Sequence, residues 1–312
     1  MTEIILHHYA VSPFSEKVRA IVGYKRLAWR SVDIPAVMPK PDLTALTGGY
    51  RKTPVMQIGC DVYCDTPLIV RVLDSMFPER PVFHESQVGI GVPAGRWFDR
   101  ELFLSVIAQL FDPEVVSASA ETLGGAAAAA AFVADRVPMM QGAPVRPPRG
   151  EDGRTIVEQT LQQLEAQLQS SGAFLLGAVV GWADFCAYHP LWAMRQNRVL
   201  APRLDAYPHV LSWLDRIRAF GHGRPTSLAS SDALAVARNS RPRTPTGAES
   251  RLEALNIGDE VEVAAADYAR EPSAGRLAYA APDEICIERT DERAGRVVVH
   301  FPRVGFRVKP RG

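Results

Sequence analysis

The sequence lacks an excess of charge of either sign. Lysine and arginine together number 35, as do aspartate and glutamate, so the formal net charge at pH 7 is zero. Proteins whose main partner is nucleic acid or an anionic membrane normally carry a basic excess. We therefore expect neither nucleic acid nor a membrane to be a partner of this chain.

Long apolar runs and paired cysteines are lacking too. No apolar stretch reaches the ~18–20 residues that a helix needs to cross a bilayer, and the N-terminus has no basic flank followed by an apolar core. The four cysteines, Cys60, Cys64, Cys186 and Cys286, form no C-x-x-C pair, and the histidines show no metal-ligand spacing. We expect a cytoplasmic protein with reduced, mostly structural thiols and no metal site.

What the sequence does contain changes character along its 312 residues, a length that favours more than one domain. Residues 1–80 alternate strand and helix signals, which predicts an α/β domain with a small mixed sheet. Residues 81–235 lose the strand signal and predict an all-helical domain, and residues 236–250 have linker composition. Residues 251–312 contain short β segments with tight turns, which predicts a small all-β barrel, with an SH3-like roll as the alternative.

The predicted strands can be placed on the sequence. In the first region they are Ile4 to Leu6, Trp29 to Ile34, and a hairpin formed by Pro54 to Ile58 and Val62-Tyr63. In the last region they are Glu260 to Ala264, Gly275 to Ala280, Glu284 to Glu288, Val297 to Phe301 and Phe306 to Val308. His300 and Arg303 fall on the final hairpin, where they predict either a binding tip or, as we favour, ordinary turn and edge-strand residues.

The segment Ser12-Pro13-Phe14 stands where the first strand stops and a helix begins. The free N–H groups and the dipole of a helix N-terminus attract negative charge. A hydroxyl at that point suits the binding of an anion such as a thiolate, although a serine there can also serve only as the helix cap. Ser15 is the alternative hydroxyl, one step further into the helix.

Together with three other segments, this turn resembles the cytosolic glutathione S-transferase family, in its serine-type form. The other segments are Lys52-Thr53-Pro54-Val55, Asp65-Thr66, and Phe174 to Gly177 followed by Trp182-Ala183-Asp184-Phe185. The resemblance spans roughly residues 3 to 220. It implies a thioredoxin-like N-terminal domain joined to a helical domain, glutathione as co-substrate, a structural role for Asp184, and a homodimer.

The resemblance also implies roles for individual residues. Ser12 would be the catalytic residue, donating a hydrogen bond to the glutathione thiol. The glutathione-binding residues would be Phe14, Lys52, Thr53, Pro54, Asp65 and Thr66. Pro54 would be a cis-proline that leaves Thr53 to pair with the cysteinyl backbone, Thr66 and Asp65 would hold the γ-glutamyl end, and Lys52 would meet the glycyl carboxylate. The family usually carries Glu-Ser where this chain has Asp65-Thr66, which shortens the acid by one methylene.

The electrophile pocket should lie between the first two domains. We expect its lining to include Tyr9, Val11, Trp97, Arg100 and Phe103, although aromatic residues at helical spacing are more often core than pocket. The function that these features favour is attack of glutathione sulfur on a small apolar electrophile. The alternatives are glutathione-dependent peroxidase or dehalogenase chemistry, and a non-catalytic adaptor that binds a protein partner through its C-terminal β domain.

Overall fold

The computed structural model describes residues 3–243, 252 and 255–312. Its first region contains β1 (Ile5–His8), α1 (Pro13–Tyr24), β2 (Ala28–Asp33), α2 (Pro41–Thr47), β3 (Val55–Ile58), β4 (Asp61–Cys64) and α3 (Thr66–Met76). Strand β1 pairs in parallel with β2 and antiparallel with β3, which in turn forms a hairpin with β4. The predicted thioredoxin-like arrangement is confirmed. It places the end of β1, and the turn that follows it, directly at the start of α1.

The second region is helical, as predicted, over most of its length. It contains α4 (Val88–Trp97), a π-helical turn (Phe98–Leu102), α5 (Phe103–Leu110), α6 (Pro113–Ala118), α7 (Ala126–Met139), α8 (Gly150–Ser171), α9 (Trp182–Gln196), a 3-10 turn (Ala201–Leu204) and α10 (Pro208–Arg218). Helix α9 lies at the centre, where Phe185, Tyr188 and Leu191 are fully buried against the neighbouring helices. Burial of this apolar helix joins the first region to the second in one core.

Asp184 fixes the start of α9. Its carboxylate accepts hydrogen bonds from the backbone N–H groups of Gly181 and Leu175 and from the Trp213 indole, each at 2.9 Å. These contacts satisfy donors that the helix itself leaves open. The structural role predicted for Asp184 is therefore confirmed, even though Gly181, the N-cap residue of α9, has no side-chain hydroxyl to cap the helix.

A short strand, β5 (Arg224–Ser227), follows the helices and pairs in parallel with the outer edge of β2. The sequence analysis missed it, because all of its residues are exposed and its sequence, Arg-Pro-Thr-Ser, has no apolar alternation. Helix α11 (Ser230–Arg238) comes next, so the first residues of the predicted linker are helical. Residues 244–250 of that linker lie outside the described residues.

The five predicted C-terminal strands are present as β6 (Glu260–Ala265), β7 (Ser273–Ala280), β8 (Glu284–Asp291), β9 (Gly295–Pro302) and β10 (Phe306–Pro310). They do not form a barrel or roll that stands apart. Strand β9 pairs in parallel with β4, with Val299 opposite Val62, so that the described strands form one ten-stranded sheet. Its order is β10-β6-β7-β8-β9-β4-β3-β1-β2-β5.

The sequence analysis did not anticipate the pairing of β9 with β4, because strand patterns do not reveal which strand edge is open for pairing. Val62, Val299 and Phe301 are fully buried in one apolar core that also includes residues of α2 and α11. The C-terminal strands are thus an extension of the thioredoxin-like sheet. Across the described part of the chain, no helix is both long enough and apolar enough to span a bilayer.

Candidate functional site

A cleft of about 1160 Å³ lies between the thioredoxin-like sheet and the helices, and the C-terminal strands border it on a third side. Ten residues predicted for the site line it: Tyr9, Ser12, Phe14, Lys52, Thr53, Pro54, Asp65, Thr66, Arg100 and Phe103. Val11 and Trp97 do not line it. Trp97 is 41% exposed and packs edge-on against Phe98, because Arg96 and Asp99 occupy the face of this segment that borders the cleft.

Ser12 is the N-cap of α1. Its backbone is extended, with φ −75° and ψ 118°, and its Oγ accepts a hydrogen bond from the Ser15 N–H at 3.2 Å. A hydroxyl that accepts one bond still has its own hydrogen to donate. Ser12 can therefore cap the helix and donate to an anion in the cleft at the same time, whereas Ser15 is fully buried and does not line the cleft.

The Thr53–Pro54 peptide bond is cis, as predicted from the resemblance. It precedes β3 and brings Thr53 to the cleft opposite the start of α1. The Thr53 hydroxyl accepts a hydrogen bond from Lys40 Nζ at 3.4 Å. Lys40 was not predicted as a site residue, because an isolated lysine before a proline carries no motif.

Asp65 and Thr66 begin α3. Asp65 has φ 71°, in the left-handed region, and its Oδ1 accepts a hydrogen bond from the Thr66 N–H at 2.7 Å. Burial raises the pKa of Asp65, against the opposing charges of Lys52 and Lys17. Thr66 is buried, and its Oγ1 has no hydrogen-bond partner among the described residues. A buried hydroxyl without a partner costs about 1–3 kcal/mol, which a carboxylate bound at this helix N-terminus would relieve.

Lys52 contacts the C-terminal region. Its Nζ lies 2.5 Å from Asp267 Oδ1 and 4.1 Å from the centre of the Tyr268 ring. Both residues belong to the loop between β6 and β7, residues 266–272, which we call the β6–β7 loop. The same loop donates a backbone hydrogen bond from Ala269 to Met139 of α7 at 2.7 Å. The loop thus spans the cleft from the sheet to the helices.

A group of cationic side chains surrounds Asp135 at one end of the cleft. Arg51 donates to both carboxylate oxygens of Asp135 at 2.6 Å, and Arg136 donates to the Tyr9 hydroxyl at 3.1 Å. Burial, together with the charges of Arg136 and Arg51, lowers the pKa of Lys40 to about 8. The three cations here face two carboxylates, since Glu271 Oε1 also lies 3.3 Å from Arg51. The remaining positive charge suits an anionic part of a ligand.

Behind Phe14, a buried ion pair joins the first region to the helices. Lys17 is fully buried, and its Nζ donates to the two oxygens of Asp99 at 2.7 and 2.8 Å. His189 Nε2 lies 2.9 Å from the same carboxylate. Burial raises the pKa of Asp99, but Lys17 and His189 outweigh it, so the pKa is held below its usual value. The sequence analysis did not find this group, because its members are 82 and 90 positions apart.

Comparison with known proteins shows which family the chain is similar to. The family model "Glutathione S-transferase, N-terminal domain" matches residues 6–81, and "Glutathione S-transferase, C-terminal domain" matches residues 125–216. None of the curated proteins matches the chain.

Solved structures extend the match. A GST-like protein from Pseudomonas syringae is 39% identical over 100% of both chains, with a TM-score of 0.81, so the likeness includes the C-terminal strands. FzlA from C. crescentus is 20% identical over 70% of this chain and 88% of its own, with a TM-score of 0.52. Beta-etherase LigF from Sphingobium sp. strain SYK-6 is 18% identical over 70% of this chain and 96% of its own, with a TM-score of 0.52. The last two likenesses concern the fold alone.

Proposed function

The chain belongs to the glutathione S-transferase family, and from that premise we propose that it activates the thiol of glutathione for attack on a small apolar electrophile. One observation carries the proposal. The Ser12 hydroxyl stands at the N-terminus of α1, inside the cleft, with a hydrogen still available to donate. Donation to the sulfur would favour its ionised form.

The energy required is within reach of this arrangement. Lowering a thiol pKa from ~8.5 by about two units needs roughly 2.7 kcal/mol. A hydrogen bond to a charged group contributes about 1.5–3 kcal/mol, and a helix N-terminus contributes about 0.3–1 kcal/mol more. The Ser12 hydrogen bond and the N-terminus of α1 are therefore sufficient to lower the thiol pKa by about two units without a further base.

The rest of the cleft suits the tripeptide. We propose that Thr53, beside cis-Pro54, pairs with the cysteinyl backbone. The Thr66 hydroxyl, which has no partner among the described residues, would bind the γ-glutamyl carboxylate. Asp65 would meet the α-ammonium. The electrophile would lie against Phe14 and Phe103, whose ring centres are 4.6 Å apart, with Tyr9 and Arg100 at the margin.

The test is an ultraviolet difference titration of the protein with glutathione near neutral pH, which follows the thiolate band. We expect a saturable thiolate signal. A folded protein that gives no such signal would contradict the transferase proposal and favour a non-catalytic adaptor that works through the C-terminal strands. Peroxidase or dehalogenase chemistry would use the same activated thiol and would be separated by the acceptor substrate. We also propose a homodimer, which sedimentation velocity would test.

Asp267 is expected to compete with glutathione for Lys52. Replacing Asp267 with asparagine should strengthen glutathione binding up to about fivefold, since an exposed ion pair is worth at most ~1 kcal/mol and the Asp267 side chain is 42% exposed. The affinity can be measured with the same titration. Glu262→Gln is the matched control. Glu262 on β6 forms an ion pair with the exposed Lys309 on β10, and it does not line the cleft. Unchanged or weaker binding in Asp267→Asn would show that Asp267 does not compete.

A further inference from the structure

Three side chains with metal-binding atoms meet where the C-terminal strands join the thioredoxin-like sheet. Glu284 and Cys286 are two positions apart on β8 and so share one face of the sheet. His300 on β9 is paired directly with Cys286 in the strand register. The rigid sheet, not a flexible loop, brings these residues together.

The ligand atoms of these residues are already close. Cys286 Sγ lies 3.1 Å from His300 Nδ1 and 3.3 Å from Glu284 Oε1, and Glu284 Oε1 lies 2.5 Å from His300 Nδ1. Zinc bonds of ~2.0–2.3 Å at tetrahedral angles place ligand atoms about 3.3–3.6 Å apart. Shifts of less than about 1 Å in each separation would therefore admit the ion.

The orientation of the His300 ring is also fixed in the way that is common for metal-binding histidines. Its other nitrogen, Nε2, lies 3.0 Å from Asp61 Oδ1, and Asp61 is fully buried on β4. The second oxygen of Asp61 accepts the backbone N–H of Arg243 at 2.9 Å. Metal-bound histidines commonly donate their second ring N–H to such a carboxylate, which leaves the first nitrogen for the metal. The Tyr63 ring stacks on the imidazole at 4.4 Å and fixes its plane.

We propose that Glu284, Cys286 and His300 bind one Zn²⁺ ion, with a solvent molecule in the fourth position. A thiolate, an imidazole and a carboxylate form a ligand set that suits zinc, whereas Mg²⁺ and Ca²⁺ prefer oxygen ligands alone. Cys286 and His300 are buried and the Glu284 side chain is 21% exposed, so the ion would enter past Glu284. Through Asp61, the bound ion would tie the C-terminal strands to β4.

The sequence analysis expected no metal because the cysteines and histidines show no paired spacing. The ligands are instead joined by strand alternation and by pairing between β8 and β9. In the absence of metal, the same side chains can form an imidazolium between the Asp61 and Glu284 carboxylates. The experiment below separates these two states.

Co²⁺ is the first probe, because a cysteine ligand gives a thiolate-to-cobalt charge-transfer band. The full-length protein, stripped with chelator, should take up one Co²⁺ per chain with that band, and one Zn²⁺ per chain should displace it. Cys286→Ala should abolish the band, and Asp61→Asn should weaken Zn²⁺ binding about 10–100-fold. Cys64→Ala is the matched control, since Cys64 is an equally buried thiol on β4 outside the cluster. It should bind both metals as the original chain does.

Several outcomes would overturn the proposal. These are the absence of a charge-transfer band in the unaltered protein, a band that persists in Cys286→Ala, or a band that Cys64→Ala removes. If Cys286→Ala does not fold, Asp61→Asn decides the question, because Zn²⁺ binding about 10–100-fold weaker supports the site at His300 and unchanged binding overturns it. Binding of Zn²⁺ without any cobalt–thiolate band would show surface binding only and would leave the imidazolium as the state of the cluster.

Discussion

Replacement of Ser12 by alanine is expected to raise the pKa of the bound glutathione thiol by about one to two units, because the hydroxyl hydrogen bond is lost while the α1 N-terminus remains. Alanine has no side-chain donor, so the hydrogen bond from the Ser12 hydroxyl to the sulfur is lost. A shift of two units corresponds to roughly 2.7 kcal/mol. A rise from ~6.5 to ~8.5 lowers the thiolate fraction at pH 7 about 25-fold, so turnover near neutral pH should fall by up to about that factor. The measurement is a pH titration of the thiolate band with glutathione at saturation, which requires no knowledge of the electrophile.

The same substitution also removes a helix cap, and the two effects must be separated. Loss of the Ser12 cap should cost about 1 kcal/mol of stability in the alanine variant and only a few tenths in Ser12→Gly. Ser12→Thr retains both the hydroxyl and the cap, and should keep most of the thiolate signal. Ser15→Ala is the second control, because Ser15 is buried outside the cleft lining. If Ser15→Ala shifts the thiol pKa as far as Ser12→Ala does, the assignment of Ser12 is wrong.

Features encoded by neighbouring residues were predictable from the sequence. Ser12 before Pro13 specifies the start of α1, and Asp184, three residues after Gly181, specifies the start of α9. The Thr53–Pro54 bond was predicted cis because the surrounding motif resembles a known one. The C-terminal strands followed from alternation and turn residues within short windows.

Features that depend on distant parts of the chain were not predictable in the same way. Strand β9 pairs with the open edge of β4, and the paired residues Asp61 and Val298 are 237 positions apart in the sequence. His300, which we interpreted as an ordinary turn or edge-strand residue, is instead buried against Asp61 because of that pairing. Likewise, we expected Trp97 to line the cleft, and the sequence did not show that Asp99 lines it instead. Short-range sequence patterns predict the helices and strands here, whereas the pairing of distant strands determines which residues they contact.

The largest effect on stability is expected from Asp99→Ala. Lys17 has no exposed side-chain area, and its ammonium lies among Asp99, the Phe14 ring at 4.9 Å and the Trp182 ring at 4.6 Å. Removal of the carboxylate leaves a buried cation without its counter-ion, which typically costs about 3–5 kcal/mol. His189 loses the same partner. The free energy of unfolding, measured by urea denaturation at constant salt, should fall by that amount.

Two comparisons show whether burial is the cause. Asp215→Ala breaks the exposed pair with Arg195, where the carboxylate side chain is 58% exposed, and should cost less than ~1 kcal/mol. The double variant Lys17→Met with Asp99→Leu replaces both charges by apolar groups and should recover most of the stability lost in Asp99→Ala, because no uncompensated charge remains. If Asp99→Ala costs no more than Asp215→Ala, the Lys17–Asp99 pair is solvated in solution. In that case apolar packing, and not the Lys17–Asp99 ion pair, stabilises the contact between the first region and the helices behind Phe14.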